Sequence, residues 1–167
     1  MADKPILEKT FNEELDISER VRQGGVYATL YLEVQANDSE AARNALESSI
    51  FKKLKNEKGV DILEVKLYDI QKDENAESFS GVAEITLVTV NFITFVTIIM
   101  RYGPTALEIM EPDEILLKTD EIHSLVGAIS EMTQAYSSHI MSMLKDEERR
   151  SLYRKMLGED SEGNLQD

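Results

Sequence analysis

The chain contains no cysteine and no tryptophan, and only three prolines, eight glycines and two histidines among its 167 residues. Without a thiol there is no disulfide, no thiolate zinc site, no cysteine-held iron–sulfur cluster and no cysteine nucleophile. Such a chain suits a reducing compartment, so a cytoplasmic location is expected. Positive charge is scarce as well. Eighteen lysines and arginines stand against 32 aspartates and glutamates, a net charge of -14. Nucleic-acid affinity depends largely on basic side chains that neutralise phosphates. The nearest approach to a basic cluster, Lys52, Lys53 and Lys55, is diluted on a helix, so nucleic acid is not an expected partner.

Long apolar runs are also missing. The start, from Met1 to Pro5, is polar and unlike a secretory signal. The uncharged run Ile85–Met100 is shorter than the ~20 residues a spanning helix needs, and it carries Asn91, Thr86, Thr89, Thr94 and Thr97. It reads as buried core, and no membrane partner is expected. The glycines do not form G-x-G-x-x-G, a P-loop or a nucleophile elbow, which removes the commonest motif-bearing nucleotide and hydrolase classes.

What is present suffices for a core. With 42% hydrophobic against 30% charged residues, one domain with extensions is expected, burying roughly 70% of its unfolded surface. Residues 1–24 form an N-terminal extension. Thr10 and Glu13 fit a capping box, which predicts a short helix carrying Phe11, Leu15, Ile17 and Val21 up to Gly24-Gly25. From Val26 to Ala36 the alternation is regular. Val26, Ala28, Leu30, Leu32 and Val34 share one face and Tyr27, Thr29, Tyr31, Glu33 and Gln35 the other, the mark of a strand buried on one side. Asn37-Asp38-Ser39 offers N-caps for a helix to about Lys58 with Ala42, Ala45, Leu46, Ile50 and Leu54 as its stripe, and Gly59 stops it.

A second strand is expected over 60–71, with Leu63, Val65 and Leu67 inward and Glu64, Lys66 and Tyr68 outward. A polar loop follows (Lys72, Asp73, Glu74, Glu77), then a third strand over 80–90. Asn91, Thr94, Thr97 and Arg101 recur at helical spacing and Gly103-Pro104 follows, so 91–102 reads as a short buried helix despite its β-branched content. A fourth strand is expected over 105–110, with a short extension at 115–117. Thr119 would cap a long last helix whose stripe runs from Ile122 to Met143 and on through Leu152 and Met156.

The expected fold is therefore α+β. Its ferredoxin-like (split βαβ) core, residues 25–145, is a four-stranded antiparallel sheet with two helices on one face and a long C-terminal helix. Residues 146–157 extend that helix, and 158–167 are an acidic tail expected to be disordered. Arg101-Tyr102-Gly103-Pro104, the run Leu107 to Pro112 and the turn Asn56 to Val60 give the chain a resemblance, over about residues 25–145, to small archaeal proteins of uncharacterised function. The resemblance implies a ferredoxin-like core and an archaeal source, and it carries no catalytic residue.

No residue is singled out as catalytic, and no cofactor or metal is expected. His123 and His139 are sixteen residues apart, roughly 160° around a helix at 100° per residue, so one protomer does not readily aim both at one metal. Glu108, Glu111, Asp113 and Glu114 read as a solvated acidic turn. Arg101 is the candidate ligand-binding residue, as an anion clamp, against the alternative of covering a helix C-terminus. The sheet face opposite the helices would present Tyr27, Thr29, Tyr31, Lys66 and Tyr68, with Glu64, Glu84 and Thr86 beside them. Tyrosine suits a protein interface, whereas base stacking would call for more basic neighbours. On the extended last helix, Leu152, Tyr153 and Met156 need a surface to pack on, and a second copy supplies one.

The leading expectation is a non-enzymatic oligomerisation or protein-interaction module, a homo-oligomer. The alternatives are a small-molecule-sensing regulatory domain, with a ligand held between protomers near Arg101 and the Asn56–Gly59 turn, and a metal-dependent enzyme using carboxylates.

Overall fold

Alternation produces a strand where it is strongest: Val26, Ala28, Leu30 and Leu32 are buried along β2 (Val26–Ala36), while Tyr27 and Tyr31 between them are half-buried. The computed structural model describes residues 4–72 and 77–156. The expectations for Asp73, Glu74, residue 157 and the acidic tail lie outside those residues. The chain divides between Leu125 and Val126 into two units.

The first unit is α+β. Around β2 are β1 (Leu7–Thr10), α1 (Ile17–Arg22), α2 (Ser39–Glu47), β3 (Val60–Leu67), β4 (Gln71–Lys72), β5 (Phe79–Thr89), α3 (Phe92–Tyr102) and β6 (Ala106–Glu111). The sheet runs β1-β3-β5-β2-β6, every pair antiparallel, with β4 beside β5 past the end of β3. The four expected strands are thus joined by two more, β1 and β4. Leu46, Ile50 and Leu54 from one connection and Phe95 and Ile98 from the other enter a single buried cluster with Ala28, Leu30, Ile85 and Leu87. Both inner helices therefore cover the same side of the sheet. Each large apolar side chain so buried contributes about 1.5–3 kcal/mol relative to exposure.

Asp38 caps α2, its Oδ1 accepting from the Ala41 N–H at 2.7 Å. The helix expected to continue to Lys58 instead widens into a π-helical segment (Ser48–Lys53), tightens into a 3-10 turn (Leu54–Asn56) and reverses at Gly59, φ +77°. The spacing of its core residues supplies a reason. Apolar side chains every fourth residue drift about 40° per step around an α-helix, and a wider turn in mid-run reverses that drift. Leu46, Ile50 and Leu54 all end at 2% exposure or less.

The segment 91–102 is a helix, as its polar spacing predicts. Asn91 Oδ1 accepts from the Thr94 N–H at 2.8 Å, and Gly103, φ +55°, ends the helix by donating to the Ile99 carbonyl at 2.9 Å. Burial of Phe95 and Ile98 outweighs the small helical penalty of the β-branched residues.

Three further expectations within this unit are corrected. The Thr10–Glu13 pair exists, with Oγ1 donating to Oε1 at 2.7 Å, but no helix starts there. Residues 7–10 are extended because they pair with β3, which lets Leu7 and Phe11 reach the core; the helix begins at Ile17, capped by Asp16. In β3 the register to β5 slips between Ile62 and Glu64, so Ile62 and Val65 are buried and Leu63 is only half-buried. Residues 115–117 form no strand, and Ile115 packs against the core cluster instead.

The C-terminal helix is long but not continuous. α4 (Thr119–Met143) runs for 25 residues, and α5 (Asp146–Met156) is a separate helix. Thr119 is the first helical residue rather than the cap, because the Lys118 N–H donates to Glu121 Oε2 at 2.8 Å and closes the turn one position earlier. The break at 144–145 carries its own capping. The Lys145 N–H donates to Glu148 Oε2 at 2.8 Å, and the Arg149 guanidinium donates to the Leu144 carbonyl. Asp146 and Arg149 pair at 3.4 Å. Neither helix holds a fully buried residue.

Candidate functional site

Three features of the described residues carry candidate chemistry, and the first is the sheet face opposite α2 and α3. Cross-strand register sets Tyr31 of β2 beside Glu84 of β5 and Glu84 beside Lys66 of β3, while Thr29, Thr86 and Glu64 form the neighbouring row. The tyrosine-face residues expected from alternation are thus on one face, and Thr29, Lys66 and Tyr68 among them are engaged with neighbours there. Lys66 Nζ lies 2.9 Å from Glu64 Oε2 and 3.2 Å from Glu84 Oε1, and the Tyr68 hydroxyl donates to Glu84 Oε2 at 3.0 Å. The hydrogen bond to Glu64, with Glu84 adding to it against burial, raises the lysine above its usual value. Burial first, then Glu84, raises the Tyr68 phenol. Glu84 is therefore the hub of this face. Thr29 is 7% exposed, with its hydroxyl 3.3 Å from that of Thr86. Tyr27, Tyr31 and Tyr68 are half-buried. Glu64, Lys66, Glu84 and Tyr68 thus form a polar network on this face.

The second feature is a cleft of about 560 Å³ between the π-helical segment, the 3-10 turn and the end of α3. Its floor is Leu32 and Val34 of β2, and Ser49, Lys53, Asn56, Glu57, Arg101 and Tyr102 surround it. Arg101 Nη1 is 2.6 Å from Glu57 Oε1, and the Tyr102 hydroxyl donates to the same oxygen at 2.9 Å. The Arg101 guanidinium holds the Glu57 carboxyl below its ordinary 4.5, against the opposing effect of burial and with help from Tyr102. Burial, followed by Glu57, pushes the Tyr102 phenol up to about 12. Arg101 thus faces a carboxylate of its own chain and ties the end of α3 to the turn before Gly59. A π-helical wall is a feature often found at functional sites. From the sequence, the Asn56–Gly59 turn is placed near Arg101, but neither Glu57 nor Tyr102 is named as its partner. Glu57 is 44 residues from Arg101, and no short spacing signals such a pair.

The third feature is the surface of the last two helices. Ile122, Val126, Ile129, Tyr136, Ile140 and Met143 on α4 are all exposed, as are Tyr153 and Met156 on α5, while Leu152 is half-buried. On the first unit the edge strand β6 adds Leu107 and Ile109, at 42% and 40% exposure. Leu107 pairs with Leu30 and Ile109 with Ala28, so both stand on the helix-covered side but at its margin.

Among the described residues no group of three or more histidine, aspartate or glutamate side chains is placed to hold a metal ion, and no helix is long and apolar enough to cross a membrane. A protein-family model described as the MJ0538 family matches residues 27–162. No curated protein and no solved structure matches the chain.

Proposed function

The chain belongs to the MJ0538 family, and from that premise we propose that it is a non-enzymatic interaction module that assembles as a homo-oligomer. One observation carries this reading: six large apolar side chains on α4 are 39–66% exposed in a chain of net charge -14. Contiguous apolar surface of that kind marks an interaction site. The core reads as ferredoxin-like, supported by the order β3-β5-β2-β6 and by two helical connections on one side. In this reading the core is a scaffold and the contact lies outside it. Light scattering during size exclusion at micromolar concentration tests it. More than one chain per particle is expected, and a clean monomer overturns the reading.

A second reading, a small-molecule sensor, is favoured by the cleft at Arg101, whose cationic and hydroxyl groups (Arg101, Lys53, Ser49, Tyr102) surround an apolar floor. Such a site suits a small carboxylate that competes with Glu57 for Arg101. Binding to the native state raises the melting temperature. A thermal-shift screen of amino acids, nucleotides and divalent ions would therefore show a shift that Arg101→Ala abolishes, and no shift at millimolar ligand removes this alternative.

A further inference from the structure

The exposed part of the α4 stripe, beside half-buried Leu125 and Met132, has a regularity finer than amphipathicity. Ile122, Val126, Ile129, Thr133, Tyr136, Ile140 and Met143 succeed one another at spacings of four, three, four, three, four and three. All seven are exposed. A helix that lies on a sheet needs a broad apolar stripe. A strict alternation of threes and fours, kept for about three heptads, is the seam by which one helix meets another.

Charge points to what meets it. From Ile122 to Leu144 the one formally charged side chain is Glu131, and the heptad phase puts it opposite the seam. The positions flanking the seam are Leu125, Met132 and His139 on one side and His123, Ser130 and Ser137 on the other. Two copies of a -14 chain repel over most of their surfaces, and this helix lets them touch without opposing like charges. A partner of another kind, chosen to complement an acidic body, would be basic and would find no carboxylate on the seam. Twenty-one residue rises of about 1.5 Å make the seam about 32 Å long. With seven seam and six flanking positions a side, the contact is smaller than the roughly 20–30 residues a side of a standard interface and belongs to the low end of interface sizes.

Resting on the interaction reading above, we propose that the Ile122–Met143 face of α4 pairs with the same face of a second copy as a two-helix coiled coil. Thr133, at the middle of the seam, is its one polar layer. Its hydroxyl already donates to the Ile129 carbonyl at 2.8 Å, and such a residue weakens a seam relative to a β-branched apolar one.

Sedimentation velocity on the full chain tests this with three variants, each checked by circular dichroism for an intact fold. Val126→Asp with Ile140→Asp is expected to give a monomer wherever the wild type is a dimer. Ser124→Glu with Ser138→Glu, off the seam, is expected to stay dimeric. Thr133→Ile is expected to tighten the dimer about tenfold. A dimer that persists in the seam variant overturns the inference and leaves the interaction reading standing, with the contact moved to β6 or the tyrosine face. A dimer lost equally in the off-seam variant, or unchanged by Thr133→Ile, also overturns the inference. A wild type that is monomeric throughout overturns both.

Discussion

Helices α3 and α4 are both amphipathic and are separated by only sixteen residues, yet they end differently. In eleven residues α3 buries Phe95 and Ile98, is capped by Asn91 and stops at a left-handed glycine. In 25 residues α4 buries nothing completely. The apolar side of α3 is broad, because Phe92, Phe95, Val96, Ile98, Ile99 and Met100 surround more than half of the helix, and it meets a sheet. On α4 the exposed apolar residues are heptad-spaced, with Leu125 and Met132 half-buried beside them. The period and exposure of a stripe, more than its hydrophobicity, indicate the kind of surface it is built to meet.

Several substitutions would break or sharpen that contrast. The largest effect is expected at the core: Phe95→Ala should cost about 3–5 kcal/mol in urea unfolding, because the ring is 3% exposed and packs beside Phe92. Ile129→Ala should leave the unfolding of the sheet unit unchanged. An equal loss at both positions would mean that α4 is core as well. Next comes concentration dependence. Dissociation coupled to the melting of α4 makes the melting temperature of that helix rise with protein concentration, and the Val126→Asp, Ile140→Asp variant should lose that rise. Smaller still is the cap: Asn91→Ala should destabilise by about 1 kcal/mol, read in the same urea experiment, since it frees the Thr94 amide.

The smallest expected effect is at the cleft. The folded-state value for Glu57 lies below the ordinary 4.5. Its stabilisation is therefore fully present above that pH and is lost as pH falls through the depressed folded value. Arg101 is half exposed, so Glu57→Gln should cost at most about 1 kcal/mol at neutral pH. The gap to wild type should close on acidification, and a gap that widens at low pH would contradict the pairing.

The sheet was legible because its signals are local. Val26–Ala36 alternates cleanly, Asn91 and Gly103 bracket α3, and Asp38 caps α2. What was hidden depends on distant partners. β1 is extended only because β3 offers it an edge, and a helix-start signal at Thr10 yields to that pairing. The slip in β3 and the π-helical segment after α2 are adjustments that bring Val65 and Leu54 to the core, and neither has a marker of its own. At the candidate sites, alternation placed Tyr27, Tyr31 and Tyr68 on one face, but it did not reveal that Glu84 engages Tyr68 and Lys66. Arg101 stood out as a lone cation on an apolar helix, and its partner Glu57 emerges only once the chain is folded.

The central claim is that the α4 seam is covered by its counterpart in a second copy. Amide hydrogen exchange, followed from dilute to concentrated protein, tests it most directly, because an isolated helix is marginal in water whereas strand amides of the core are protected regardless. Protection of the amides from Ile122 to Met143 should rise with concentration while that of β5 stays constant. Exchange in α4 that is the same at every concentration would contradict it.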